Sequence, residues 1–242
     1  MSWHKGSLCG FDVESTGVSV ENDRIVTAAI VDIQPGKPTR TRTFMLNPGI
    51  AIPEEATKVH GISTEQARAE GAHPSTALEE IALELTVALA SGTPIVAFNA
   101  SFDLTMLDQE LLRYKLGGLE ERLGSYDAVS PILDPHVIDK KVDTYRKGKR
   151  TLTATVEAHG LVMDNAHAAD ADAIAACRLL FRLADKYNLP AKFPSLYEIH
   201  EEQIGWRAEQ AASLEAYFKK SGKPQEVDQS WPLRRVSAER AA

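Results

Sequence analysis

Cysteine is scarce: Cys9 and Cys177 are the only two in 242 residues. Two thiols cannot build a disulfide framework, and neither belongs to a CxxC pair. Cys9 falls in an apolar strand-like run and Cys177 in an alanine-rich helical one, so both read as small buried hydrophobes, and a reducing cytoplasm is the expected compartment. Long apolar runs are missing too. The longest helix-like apolar segment, residues 81–90, is interrupted by Glu84 and Thr86 and falls short of the ~20 residues a membrane helix needs, so no membrane partner is expected. Residues 1–6 lack an apolar core segment, and no signal peptide is expected. Positive charge is in deficit: 27 Lys and Arg against 34 Asp and Glu give −7. That balance argues against a generally sticky basic nucleic-acid binder. It leaves open an enzyme that gathers carboxylates around metal ions. With 43% apolar and 25% charged residues, the chain has the make-up of an ordinary globular protein.

Hydrophobic patterning divides the chain. Residues 7–13 read as a short buried strand, followed by turn chemistry at Ser15, Thr16 and Gly17. Residues 25–33 are β-branched and mostly apolar, a second strand, and residues 40–46 alternate as a half-exposed third strand does. Short turns between them predict an antiparallel meander. The period then becomes helical, in short helices over 53–59 and 63–69 and a stronger one over 75–90. A buried strand is expected over 94–98 and a helix over 103–114. A further strand is expected over 126–129, then a long loop with Pro131 and Pro135. Helices over 152–159 and 168–187 complete this part, which predicts a mixed sheet with helices packed on it. Pro190 and Pro194 mark a boundary between a domain at 1–190 and a helical extension at 191–242. In the extension, Ser195 and Glu198 form a capping box for a helix to about residue 220. Residues 225–242 have no clear period.

Three acidic segments carry the chemistry. In the first, Phe11-Asp12-Val13-Glu14-Ser15-Thr16-Gly17, Asp12 and Glu14 stand two apart on a strand and face the same side. Two carboxylates aimed together at a low-dielectric interior are costly without a cation, and hard oxygen donors favour Mg²⁺ or Mn²⁺. Taken alone, such a pair is also a common solvated strand end. The second is Phe98-Asn99-Ala100-Ser101-Phe102-Asp103, a strand running into a helix. Alone, Asp103 reads equally as a first-turn acid complementing the helix dipole. The third is His167-Ala168-Ala169-Asp170-Ala171-Asp172, one His and two Asp among small residues at a helix start.

In this order and at these separations, the segments resemble the FDxE(T/S)TG, (H/F)NAxFD and HxxxxD motifs of the DEDD superfamily of 3′→5′ exonucleases. The nearest likeness is to its His-bearing branch, which includes the epsilon proofreading subunit of bacterial DNA polymerase III. The resemblance spans residues 7–188. It implies an RNase H-like five-stranded mixed α/β sheet of order 3-2-1-4-5, flanked by helices. It also implies that Asp12, Glu14, Asp103 and Asp172 are catalytic metal ligands for two Mg²⁺ or Mn²⁺ ions and that His167 is the catalytic general base. The five-residue spacing from His167 selects Asp172 over Asp170. The implied substrate is the single-stranded 3′ end of DNA or RNA, trimmed to nucleoside 5′-monophosphates in proofreading or repair.

Substrate contacts are expected at Thr16 and Gly17, beside the terminal nucleotide, and at His60 and Ile62, in a segment resembling the family's VHGI. Ile62 is equally well read as core. Asn99 is expected to bond near the scissile phosphate or to brace the site. Phe102 is expected either to stack on a base or to sit in the core. Residues 139–150 hold six cations against two acids. Lys147 and Lys149 there are expected on the substrate's approach, with a solvated loop as the alternative. The extension is a candidate polymerase-binding segment or a flap on the nuclease. A catalytically inactive nucleic-acid-binding or polymerase-associated module on the same fold is the competing reading. All four acids and the His being present weighs against it.

Overall fold

The computed structural model describes residues 2–163 and 167–236. Strand β1 (Leu8–Ser15) lies at the centre of a five-stranded sheet. It pairs antiparallel with β2 (Ile25–Ile33), which pairs antiparallel with β3 (Arg40–Met45). On its other side β1 pairs parallel with β4 (Ile95–Val96), and β4 with β5 (Ile132–Leu133). The order β3-β2-β1-β4-β5 is the RNase H-like order expected. Leu8, Cys9, Phe11, Val13, Ile25, Val26 and Ile30 are buried, as central strands covered on both faces require.

Ten helices flank the sheet among the described residues. After β3 come α1 (Glu54–His60), α2 (Thr64–Glu70) and α3 (Pro74–Ala90). Helix α3 buries Leu78, Ile81, Ala82, Leu85 and Leu89, the stripe that its 3.6 spacing dictates. It starts one residue before expectation, with Pro74 at the first position and the His73 ring accepting from the Ser75 N–H. Helix α4 (Ala100–Arg113) likewise starts three residues early, which leaves Asp103 in its first turn.

Two expectations fail in the segment between α4 and the third motif. After α5 (Leu119–Leu123), residues 126–129 are no strand but a single 3₁₀ turn, Tyr126–Ala128; the fifth strand is Ile132–Leu133. The expected loop around Pro131 and Pro135 holds that strand and a helix, α6 (Pro135–Val142). Asp134 caps α6, accepting from the N–H groups of His136 and Val137, with Pro135 at the first helical position. The proline that suggested a loop starts the helix instead.

Helices α7 (Leu152–Ala158) and α8 (Ala169–Lys186) follow. The alanines of α8 allow it to lie close on β1: a Cβ at Gly10 would meet Cys177 Sγ at 2.9 Å and the Ala173 carbonyl at 3.1 Å. That contact fixes the start of α8 over the end of β1. Cys9 and Cys177 are buried free thiols, and burial pushes the Cys177 thiol up to about 12.

A short α9 (Leu189–Lys192) leads into α10 (Leu196–Lys220), which opens with the expected capping box. Helix α10 covers the edge of β5. Buried His200 Nδ1 accepts from the Ile132 N–H at 3.0 Å, and buried Gln203 accepts from the Asp134 N–H at 2.7 Å and donates to the Ile132 carbonyl at 3.1 Å. A sheet edge that would otherwise be open is thereby satisfied by side chains. Beyond α10 the chain returns to bury Trp231 and Leu233; residues 237–242 of the expected tail lie outside the described residues. Among the described residues, no helix is long and apolar enough to cross a membrane.

Candidate active site

The end of β1, the first turn of α4 and the start of α8 meet at one place. Strand alternation puts Asp12 and Glu14 on the same face of β1. Asp103, 3% exposed, reaches that strand from α4, and its Oδ1 accepts from the Val13 N–H at 3.1 Å. Ligand atoms of Glu14, His167 and Asp172 all lie within 4.8 Å of one another. His167 is exposed, has φ 70°, and its N–H donates to Asp172 Oδ1 at 3.2 Å. A non-glycine residue in the left-handed region is uncommon, and here it turns the chain into α8 beside the acids.

Electrostatics make this cluster costly as a bare set of anions. Burial holds the Asp12 carboxyl well above the usual range, and the charges of Asp103, Asp172 and Glu14 push the same way. Burial also raises Asp103, against hydrogen bonds from backbone N–H groups that favour the anion. Glu14 is pushed up to about 7 by burial and then by Asp172. Asp172 is raised by burial, opposed by the His167 N–H and charge. Carboxylates that share a buried site cannot all ionise without a counter-charge. The donors are hard oxygens with one imidazole, which suits divalent Mg²⁺ or Mn²⁺. The residues present fit such ions.

Asp170 stands apart from the cluster's bonds; its Oδ1 accepts from the Ala171 N–H at 2.9 Å. With His60, Ile62, His167, Phe44 and Met45 it lines a cavity of about 200 Å³ against β2 and β3. The expected contacts His60 and Ile62 therefore share a cavity with His167. Ile62 also packs on Val26, Ile52 and Ala67, so the core reading holds as well. His60 Nδ1 accepts from the Ile62 N–H, its buried Nε2 has no hydrogen-bond partner among the described residues, and burial lowers its pKa.

Other expected contacts are engaged within the protein. Thr16 is 2% exposed; its hydroxyl donates to Asp23 Oδ1 and accepts from the Arg24 N–H. A Cβ at Gly17 would meet Asp23 Oδ2 at 2.5 Å, so a side chain there would have to displace the Asp23 carboxylate. Asn99 sits at φ 67° at the head of α4, and its N–H donates to Asp134 Oδ1 at 2.9 Å. One face of Phe102 carries the Arg234 guanidinium, 5.7 Å from the ring centroid.

The basic segment 139–150 is not a free patch. Arg146 and Arg150 turn inward to Asp139, which is fully buried and also bonds His159 Nε2 at 2.7 Å. Lys141 pairs with Glu209 of α10 at 2.9 Å. Lys147 and Lys149 are exposed. Asp139, Asp143 and His159 also cluster as metal ligands would, but two guanidinium groups already neutralise that set.

Sequence reasoning missed Asp134. Its carboxylate joins the heads of α4 and α6, taking the N–H groups of Asn99, Ala100, His136 and Val137, and burial pushes it up to about 6. An Asp before a Pro is the helix-start signal that marks it.

Comparison with known proteins agrees with this geometry. The family model described as Exonuclease, of RNase T type, matches residues 9–180. PolC-type DNA polymerase III of Lacticaseibacillus paracasei is 26% identical over 173 residues, covering 72% of this chain and 11% of that protein. The Lactococcus lactis PolC-type enzyme is 28% identical over 199 residues, covering 80% of this chain and 11% of its own length. The chain thus spans about a tenth of these relatives. E. coli Exonuclease I in complex with a dT13 oligonucleotide superposes with TM-score 0.66 at 18% identity, covering 78% of this chain and 43% of that one. A moderately thermophilic Exonuclease I from Methylocaldum szegediense gives 0.61 at 19% identity, covering 88% and 46%. At such identities these structures share the fold. The chain therefore belongs to the RNase T exonuclease family, of the DEDD type that its three acidic motifs resemble.

Proposed function

We propose that this chain is a metal-dependent 3′→5′ exonuclease that removes nucleoside 5′-monophosphates from single-stranded 3′ ends of DNA, with RNA as a second polymer to test. The observation that carries this reading is the meeting of Asp12, Glu14, Asp103 and Asp172 beside His167. Asp12, Glu14, Asp103 and Asp172 would hold two divalent ions, Mg²⁺ or Mn²⁺. When bound, the ions lower the pKa of the attacking water and steady charge on the leaving oxygen. Val13 and the His167 N–H orient Asp103 and Asp172, so the carboxylates are preset rather than gathered by substrate. His167, beside Glu14 and Asp172, would accept the water's proton at its ring, the general-base role an imidazole can fill.

Residues 1–190 are taken as the nuclease and 191–242 as a flap built onto it, in preference to a polymerase-binding arm. The ties of His200 and Gln203 to β5 support the flap. His60 and Ile62 are the substrate contacts the cavity favours, and Lys147 and Lys149 remain candidates for distal phosphates. The test uses 5′-labelled single-stranded DNA and RNA with Mg²⁺, Mn²⁺ or EDTA. A 3′-shortening ladder that EDTA abolishes is the expected result, and comparing the polymers gives sugar preference. An intact strand in both metals would favour the inactive binding module.

A further inference from the structure

The segment 228–236 lies beyond residues 9–180 that match the family, yet it reaches the helix that carries Asp103. Trp231 is 1% exposed and Leu233 5%. The Tyr126 hydroxyl bonds the carbonyls of both, at 3.0 and 3.1 Å. The Arg234 N–H then donates to buried Thr105 Oγ1 on α4 at 2.8 Å. This clamped backbone sets the Arg234 guanidinium over Phe102, the residue before Asp103, within cation–π range.

Among the described residues the head group has no carboxylate within salt-bridge distance, and its buried Nε has no hydrogen-bond partner there. The Arg234 side chain is half-buried, and among the described residues its terminal nitrogens make no hydrogen bond. Burial lowers the Arg234 pKa, Arg207 adds to that, and Asp228 and Asp103 oppose it. An arginine stays charged under such pressure, and a partly dehydrated, unpaired cation is costly until an anion meets it. Trp231, Leu233 and Tyr126 already anchor the segment, so the arginine is not needed to hold it down. A guanidinium with open terminal nitrogens, beside a site that would hold a cleavable phosphodiester, matches the two non-bridging oxygens of a phosphate.

We propose that the C-terminal segment supplies Arg234 as a substrate-binding residue for one phosphate of the bound single strand, other than the one being cleaved. The proposal rests on the exonuclease reading above. It assigns Phe102 to holding the arginine rather than to stacking on a base, and gives the extension a task within this chain.

Binding of a 5′-fluorescein oligothymidine is measured by anisotropy over a salt series, with Ca²⁺ replacing Mg²⁺ and the strand checked for integrity. One phosphate contact on a single strand contributes about 0.7 to the slope of log affinity against log salt. Arg234→Gln is expected to lower the slope by about that amount, while Arg235→Gln, on an exposed neighbour, leaves it unchanged. An Arg234→Gln slope equal to wild type overturns the proposal, as does an equal loss in Arg235→Gln. Should Arg234→Gln melt early, Arg234→Lys and a scan of single neutral methylphosphonate linkages replace it. Wild type is then expected to lose affinity at one linkage where Arg234→Lys loses less; identical profiles overturn the proposal. A wild-type chain that neither cleaves nor binds any strand would sink the exonuclease reading itself, a different result from an unchanged slope.

Discussion

The main-chain N–H of Val13 donates to Asp103 Oδ1 at 3.1 Å, linking the central strand to the first turn of α4 between two other acids of the same strand. Asp103 is thus both a brace and an anion, and the two roles separate by substitution. In Asp103→Asn the amide oxygen still accepts from Val13 while the charge is gone. Because burial and like charges already disfavour ionised Asp103 and Asp12, this variant should melt in EDTA at or above the wild-type temperature. It should lose the stabilisation that Mg²⁺ gives wild type. Cleavage should fall about a thousandfold, the equivalent of about 4 kcal/mol of transition-state stabilisation. A large drop in melting temperature in EDTA would show that the brace depends on charge.

Ions compete with protons at this site. Glu14 is pushed up to about 7, and Asp12, Asp103 and Asp172 are raised as well. As pH falls through about 7, Glu14 takes up a proton that an arriving cation must displace, and the raised Asp12, Asp103 and Asp172 act in the same direction, so metal affinity rises with pH. The Mn²⁺ dissociation constant, followed by titration calorimetry, should tighten about tenfold or more between pH 6 and 8. Heats in two buffers of different ionisation enthalpy should reveal proton release. A pH-independent constant would mean the carboxylates are ionised before metal arrives.

His200 makes the fold acid-sensitive. Burial lowers its pKa to about 4, and its Nδ1 accepts the Ile132 N–H, which requires a neutral ring. The folded-state value lies below the unfolded ~6.5, so its stabilisation is complete above pH 6.5 and is lost as pH falls towards 4. The full shift corresponds to roughly 3 kcal/mol. Asn at position 200 can accept the same N–H without titrating. His200→Asn should therefore flatten the fall in melting temperature between pH 6.5 and 4.5; an unchanged slope would clear His200 of that role.

Asp139 ties down the basic segment. Burial works against its carboxylate, but hydrogen bonds from Arg146, His159 and Arg150 outweigh it and hold Asp139 below the usual range. Removing one partner of a buried charge network leaves the others unpaired. Asp139→Asn should cost about 3 kcal/mol in chemical denaturation, with little change in metal affinity. A matching loss of metal affinity would place Asp139 in the metal site instead.

The parts of this molecule readable in one dimension are those with local causes. The first three strands announced themselves by β-branched runs, and α3 by its stripe. Asp12, Glu14, Asp103, His167 and Asp172, which the fold brings together, stand out as candidates because each sits at a strand end or helix start in a distinctive short motif. The two-residue strand Ile132–Leu133 has no period to read, and its partner groups come from His200 and Gln203, far along the chain. The inward turn of Arg146 and Arg150 depends on Asp139, whose burial is a tertiary event. The unlike uses of Thr16 and Gly17 follow from Asp23, a residue that carries no motif. Net charge misleads for the same reason, since −7 is a sum over the chain and the site is a matter of placement.

The most direct test is the first product released from a single strand labelled at its 3′-terminal nucleotide, with wild type and Asp103→Asn compared in Mg²⁺. Wild type should release labelled nucleoside 5′-monophosphate before any longer fragment, and Asp103→Asn should release essentially none. Longer labelled fragments appearing first, or equal release by both proteins, would contradict 3′→5′ hydrolysis at this cluster of acids.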